Sequence, residues 1–129
     1  MKALSIVAPG GGHIATGRKT LEIRRWMPDL MPNDDLVIVE NGIFLNVDGE
    51  EDRDGRIVAV VRVAGVRPFL QTDVKPACAN YFEEGWLAWE LADVRPASSS
   101  RMVRAARGIY ELELPDDMSI GGVVASNSR

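Results

Sequence analysis

The residues of this chain best suited to chemistry lie in one short stretch, Gly17-Arg18-Lys19-Thr20-Leu21-Glu22-Ile23-Arg24. From Thr20 to Arg24 polar and apolar residues alternate, which predicts a half-buried strand. Leu21 and Ile23 would face the core, and Thr20, Glu22 and Arg24 the other side. Two residues of strand separate the Cα atoms of Glu22 and Arg24 by about 6.6–7 Å, so one polar ligand can meet both. An arginine can fork onto a phosphate or a base edge, and a glutamate can accept from the amino group of cytosine or adenine. Lys19 follows a glycine-containing turn at the mouth of the strand, where its stem can bend over a cleft. On spacing alone, a plain surface ion pair worth about 0–1 kcal/mol explains the same residues.

Other candidates are weaker. Trp86 and Trp89 are three apart, so on a strand they face opposite sides. Trp89, with Leu87 and Leu91, reads as core. Trp86, with Ala88 and Glu90, reads as a surface on which a base could stack. Arg95, Arg101, Arg104 and Arg107 fall in a stretch without acids, and Arg101 and Arg104 are candidates for phosphate contacts. A solvated face is the usual account of such charge. Gly12 to Thr20 nearly spells a phosphate-binding loop, but Arg18 stands where the lysine must follow the second glycine. Glu50, Asp52, Asp54 and Gly55 suggest a calcium loop, yet the position needing a bidentate glutamate is Val61. With one histidine, His13, and one cysteine, Cys78, no zinc spacing exists, and no metal site is expected.

The elements that must position these residues are mostly strands. Segments 2–8, 20–24, 36–40, 57–66 and 108–114 carry strand patterns, and 86–94 fits either a strand or a helix. Residues 12–17 suit a single helical turn, and 68–84 one short helix. Residues 48–55 read as an acidic turn. Five or six short strands divided by turn signals predict a mainly β domain, a closed or nearly closed barrel with one or two short helices. That domain spans 1–114, and 115–129 read as a loose tail rich in Gly, Ser and Asn.

The stretch from Gly17 to Arg24 resembles the G-x-K-x-x-E-x-R signature of the ASCH family, matching all four defined positions. The surroundings agree in order: ALSIVAP resembles the family's first strand, DDLVIVE the strand after the motif, GRIVAVVRV the long central strand, and EEGWLAWELADVRP the late aromatic segment. In the turn after the first strand the family often has an aromatic; this chain has Gly10, Gly11, Gly12 and His13. The resemblance implies a PUA-like β-barrel with a cleft and a link to RNA or modified nucleosides. It also implies that Lys19 and Glu22 would be catalytic if the chain is an enzyme, since some relatives are small hydrolases: an amidohydrolase of acylated cytidine and a ribonuclease. In the amidohydrolase relatives a threonine, proposed as nucleophile, matches Glu22. Glutamate here weighs against that chemistry, while Lys19 carries over directly.

Three functions are therefore open: a module that binds RNA or a nucleoside ligand, a small hydrolase, and a protein-interaction barrel. As a hydrolase the chain would use Lys19 or Glu22 as base. Alternatively, Glu22 would hold a divalent metal with a second carboxylate such as Glu83, Glu84 or Glu90, as in a ribonuclease. Otherwise no cofactor is expected. The net charge of −4 denies the whole chain a basic footprint for nucleic acid. No apolar run approaches the roughly 20 residues that span a bilayer, the start lacks the pattern of a signal peptide, and no membrane partner is expected. One unpaired cysteine fits a reducing compartment, so the expected location is the cytoplasm.

Overall fold

The computed structural model describes residues 1–114, 119–120 and 123–124. The chain is mainly β, built on one six-stranded sheet. Its strands are β1 (Lys2–Val7), β2 (Leu21–Arg24), β3 (Leu36–Asn41), β4 (Glu51–Pro68), β5 (Leu87–Ala106) and β6 (Ile109–Glu111), in the order β2-β5-β4-β3-β1-β6. The pair β1–β3 is parallel and every other pair antiparallel. Among the described residues the one α-helix, α1 (Gly10–Ala15), follows β1, and a short 3-10 turn spans Gln71–Asp73. Most of the expected tail lies outside the described residues; within it, Ser119–Ile120 pairs with Val123–Val124.

The alternating side chains of β3 explain the centre of the fold. Val37 and Val39 enter one apolar cluster with Ala3, Ile57, Val60 and Ala105. Leu36 and Ile38 enter another on the opposite face, with Leu4, Ile14, Val61 and Trp89. A strand covered on both faces reads as an unbroken apolar run, as LVIV does. Two faces can be covered by one sheet because β4 and β5 are long and bent. Their pairing shifts register at four places, including Asp52/Gly55 and Val63/Gly65. Each irregularity adds twist and bends the strand.

The expected barrel is not closed, because β2 and β6 end the sheet and do not pair with each other. β2 has four residues and β6 three, and each pairs on one side only, β2 with β5 and β6 with β1. Side chains bridge the gap instead: Arg24 Nη2 on β2 donates to the Ser5 carbonyl on β1 at 3.2 Å. Of the ambiguous segment, residues 87–94 are strand, the start of β5, and Trp86 precedes it. The acidic turn is shorter than expected, since β4 already begins at Glu51. The glycines after β1 start α1, where Gly11 lies so close to β3 that a Cβ would stand 2.9 Å from the Glu40 Cβ, and the Gly12 N–H donates to Glu40 at 2.8 Å.

Two outcomes test this architecture. A Cβ at Gly55 would lie 2.8 Å from the Val103 carbonyl and 2.7 Å from Val39 Cγ1. Backbone cannot yield there without breaking the β4–β5 ladder, so Gly55→Ala is expected to cost on the order of 1–3 kcal/mol in chemical denaturation. Asp73 is buried beneath the turn at 71–73, accepting from Arg67 at 2.7 and 3.1 Å and from the Leu70 N–H at 2.9 Å. The Arg67 guanidinium holds the Asp73 carboxyl below its ordinary value, against the opposing effect of burial. A depressed carboxylate stabilises the fold above its unfolded value of about 3.9, and that contribution fades as pH falls through the lower folded value. Asp73→Asn is therefore expected to lower the melting midpoint at neutral pH and to flatten its acid dependence below about pH 4.

Candidate functional site

The motif residues meet in one place. The start of β2 is fixed by backbone bonds on both sides: the Lys19 N–H donates to His13 at the end of α1, the Thr20 N–H to Pro76, and the Leu91 N–H to Thr20. Gly17, at φ +83°, ends the helix and turns the chain into that position. On β2, Glu22 lies directly across from Trp89 of β5, on the same face of the sheet. The carboxylate therefore sits beside a fully buried indole.

Glu22 is consequently not on an open polar face, as the alternation suggested, but 5% exposed. Its two oxygens are divided between the other two motif residues. Oε1 faces Lys19 Nζ at 3.2 Å, and Oε2 accepts from Arg24 Nε at 2.7 Å. Lys19, 8% exposed, also donates to the Ala77 carbonyl at 2.7 Å. The three side chains form a Lys–Glu–Arg triad, with Arg24 the most accessible of them.

The triad floors a cleft of about 1220 Å³. Its walls come from the end of β1, from β2, from residues 74–80, from the loop after β3 and from the turn between β5 and β6. Among the described residues, six cationic side chains line it: Arg18, Lys19, Arg24, Arg25, Lys75 and Arg107. The one lining carboxylate is Glu22. Trp86 also lines the cleft, half-buried, with the Arg25 guanidinium 5.8 Å from its ring centre. Trp26 lines it too and meets Trp89 edge-to-face at 5.0 Å.

The structure thus brings Lys19, Glu22, Arg24 and Trp86 to one cleft and leaves Arg101 and Arg104 outside it. Arg101 is exposed where β5 pairs with Ile57 of β4. Arg104 bonds Glu51 and the Glu111 carbonyl and lies over the Tyr110 ring. Both sit on the far half of β5, which the bulges carry away from the motif. Arg95 pairs with Asp35. Of the arginines in 95–107, Arg107 alone lines the cleft. Glu83, Glu84 and Glu90 do not line it, and Glu90 is engaged by Arg67. Among the described residues no group of three or more His, Cys, Asp or Glu side chains is placed to hold a metal ion. Arg18 lies inside the motif and Arg25 directly after it, so both could have been found there. Lys75 carries no sequence signal, since only the 74–79 segment's contact with Lys19 brings it in.

The triad has a direct energetic consequence. Removing the carboxylate leaves two cations facing each other in a largely buried site. Glu22→Ala is expected to cost about 3–5 kcal/mol, the usual penalty for breaking a buried pair, whereas Arg18→Ala, at an exposed position, should stay within about 0.5 kcal/mol. Urea denaturation of the two variants measures the contrast.

The protein-family comparison matches the ASCH domain over residues 4–100. A search of the curated proteins finds no match. Among solved structures, the ASCH protein from Zymomonas mobilis superposes with a TM-score of 0.57 at 17% identity, covering 79% of this chain and 71% of that one. A variant of that protein with one serine replaced by alanine gives a TM-score of 0.53 at 16% identity, covering 75% and 70%. At such identities the likeness speaks for the fold. With the family match extending over well more than half its length, the chain belongs to the ASCH domain family.

Proposed function

We propose that this chain binds RNA, or a ligand containing a nucleobase and phosphate, in the cleft around Lys19, Glu22 and Arg24. The observation that carries this reading is the charge of the cleft: six cations against one carboxylate, in a chain whose net charge is −4. A concave surface lined by one sign of charge concentrates ligands of the other sign. Arg18, Arg25 and Lys75 are exposed and suited to phosphates, while Arg24 keeps donors beyond those used on Glu22 and Ser5. Trp86 offers a ring for stacking. Glu22 acts in this reading as a positioning residue, because each of its oxygens already holds a cation.

The same geometry supports binding over hydrolysis. A base must be free to accept a proton, yet Lys19 Nζ donates to Ala77 and faces Glu22. No second carboxylate lines the cleft among the described residues to share a metal with Glu22. The reading therefore needs neither a metal nor another cofactor. It also fits the cytoplasm, where RNA is present and the free thiol of Cys78 would stay reduced. No helix among the described residues is long and apolar enough to cross a membrane.

Fluorescence anisotropy with a labelled single-stranded RNA, titrated at several salt concentrations, tests the proposal. Binding should weaken with salt, and Arg18→Ala and Lys75→Ala should each weaken it and reduce the magnitude of the log–log slope by about 0.7, the value for one phosphate contact on a single strand. Binding that ignores salt, or that neither substitution touches, would overturn it. Turnover of RNA or acylated cytidine that disappears in Lys19→Ala would replace it with the hydrolase.

A further inference from the structure

The loop joining β3 to β4 has an unusual distribution of apolar side chains. Ile43, Phe44 and Val47 are 51%, 72% and 65% exposed, while Leu45 packs on the core from the same loop. The loop is held in shape from within. The Asn41 side chain donates to the Ile43 carbonyl at 2.6 Å, and the Glu50 carboxylate accepts the N–H groups of Asn46 and Val47 at 3.0 and 3.2 Å. Arg107 ties it across to the β5–β6 turn by bonding Asp48 at 2.7 Å. Phe44 is thus presented on a supported loop without being covered. It lines the same cleft as the triad, entering from the side of β3, whereas Trp86 enters from the side of β5.

We infer that Phe44 is a base-stacking residue, and that the loop at 42–50 forms a second wall that seats a base of a single RNA strand. The inference rests on the proposed function of the cleft and deepens it. An exposed phenyl ring alone would suit many apolar partners. The cations of the same cleft narrow the choice, because a ligand drawn to them carries negative charge, and a nucleotide joins that charge to a flat ring. Every base has a face on which an aromatic side chain can stack, so such a contact adds affinity without strict sequence choice. The loop's internal bonds matter because a backbone already held in place loses little freedom when the base arrives.

The test compares two strands of equal length and charge, one bearing bases and one abasic throughout, on wild type, Phe44→Ala, Phe44→Leu and Phe44→Trp. Wild type should bind the base-bearing strand more tightly. Phe44→Ala should weaken that strand roughly 5- to 150-fold, with little effect on the abasic one. Phe44→Trp should restore affinity, and Phe44→Leu, apolar but not flat, should not. Equal losses on both strands, or full activity of the leucine variant, would overturn the inference while leaving the cleft's function standing. So would a change of oligomeric state in Phe44→Ala with unaltered RNA affinity, which would make the ring a protein contact. If wild type binds neither strand, the reading of the cleft fails and the role of Phe44 with it.

Discussion

The arrangement of the whole domain turns on a carboxylate that is almost out of water. Glu22 lies across from the buried Trp89, where an unpaired charge would be costly, and each of its oxygens is met by a cation. Those cations in turn reach parts of the chain that no backbone ladder joins to β2. Lys19 binds the Ala77 carbonyl, which fixes the 74–79 segment, and Arg24 binds the Ser5 carbonyl, which brings β1 alongside. The sheet is open between its end strands β2 and β6, and Arg24 of the triad ties β2 to β1 by a side-chain bond instead of strand pairing. A buried ion pair is often no more stabilising than well-packed apolar side chains. Its use here is geometric, because it joins three segments at one point and leaves a cleft above that point.

Much of the fold could be read from apolar patterning. The strands at 2–8, 36–40 and 57–66 show it because their environments are simple: each sends side chains into both apolar clusters, and β3, covered on both faces, reads as an unbroken apolar run. The limits appear where the environment is not simple. Alternation placed Glu22 on a polar face, and its face is indeed opposite that of Leu21 and Ile23. But a period of two separates faces without saying what covers them. Here one face packs on Ala77 and Ala88, and the other holds the ion pairs beside Trp89. Barrel closure was out of reach for a related reason. It depends on bulges in β4 and β5, and neither Gly55 nor Gly65 announces from sequence how far it bends a strand.

The site was legible where function is local and illegible where it is assembled. Lys19, Glu22 and Arg24 are close in sequence, so their convergence follows from a turn and a strand. Arg101 and Arg104 read as candidate phosphate contacts because they fall in a stretch without acids. They belong to the far half of a 20-residue strand, and one of them is already held by Glu51. Lys75 and Phe44 are the reverse case. Each comes from a segment with no chemical signature, and only the folding of 74–80 and 42–50 around the triad places them on its cleft.

The charge of the triad also bears on what the cleft can hold. One carboxylate between two cations leaves one positive charge uncompensated, and Lys19 is nearly buried, so that excess reaches the ligand space chiefly through Arg24. A guanidinium is more weakly hydrated than an ammonium and keeps a planar fork of donors, so an oxyanion can replace its water at modest cost. Arg18, Arg25 and Lys75 surround that position from exposed sites, where they attract an anion but are screened by salt. In the proposed binding role, the buried pair would hold the fork still, and the exposed cations would raise the local concentration of what it receives.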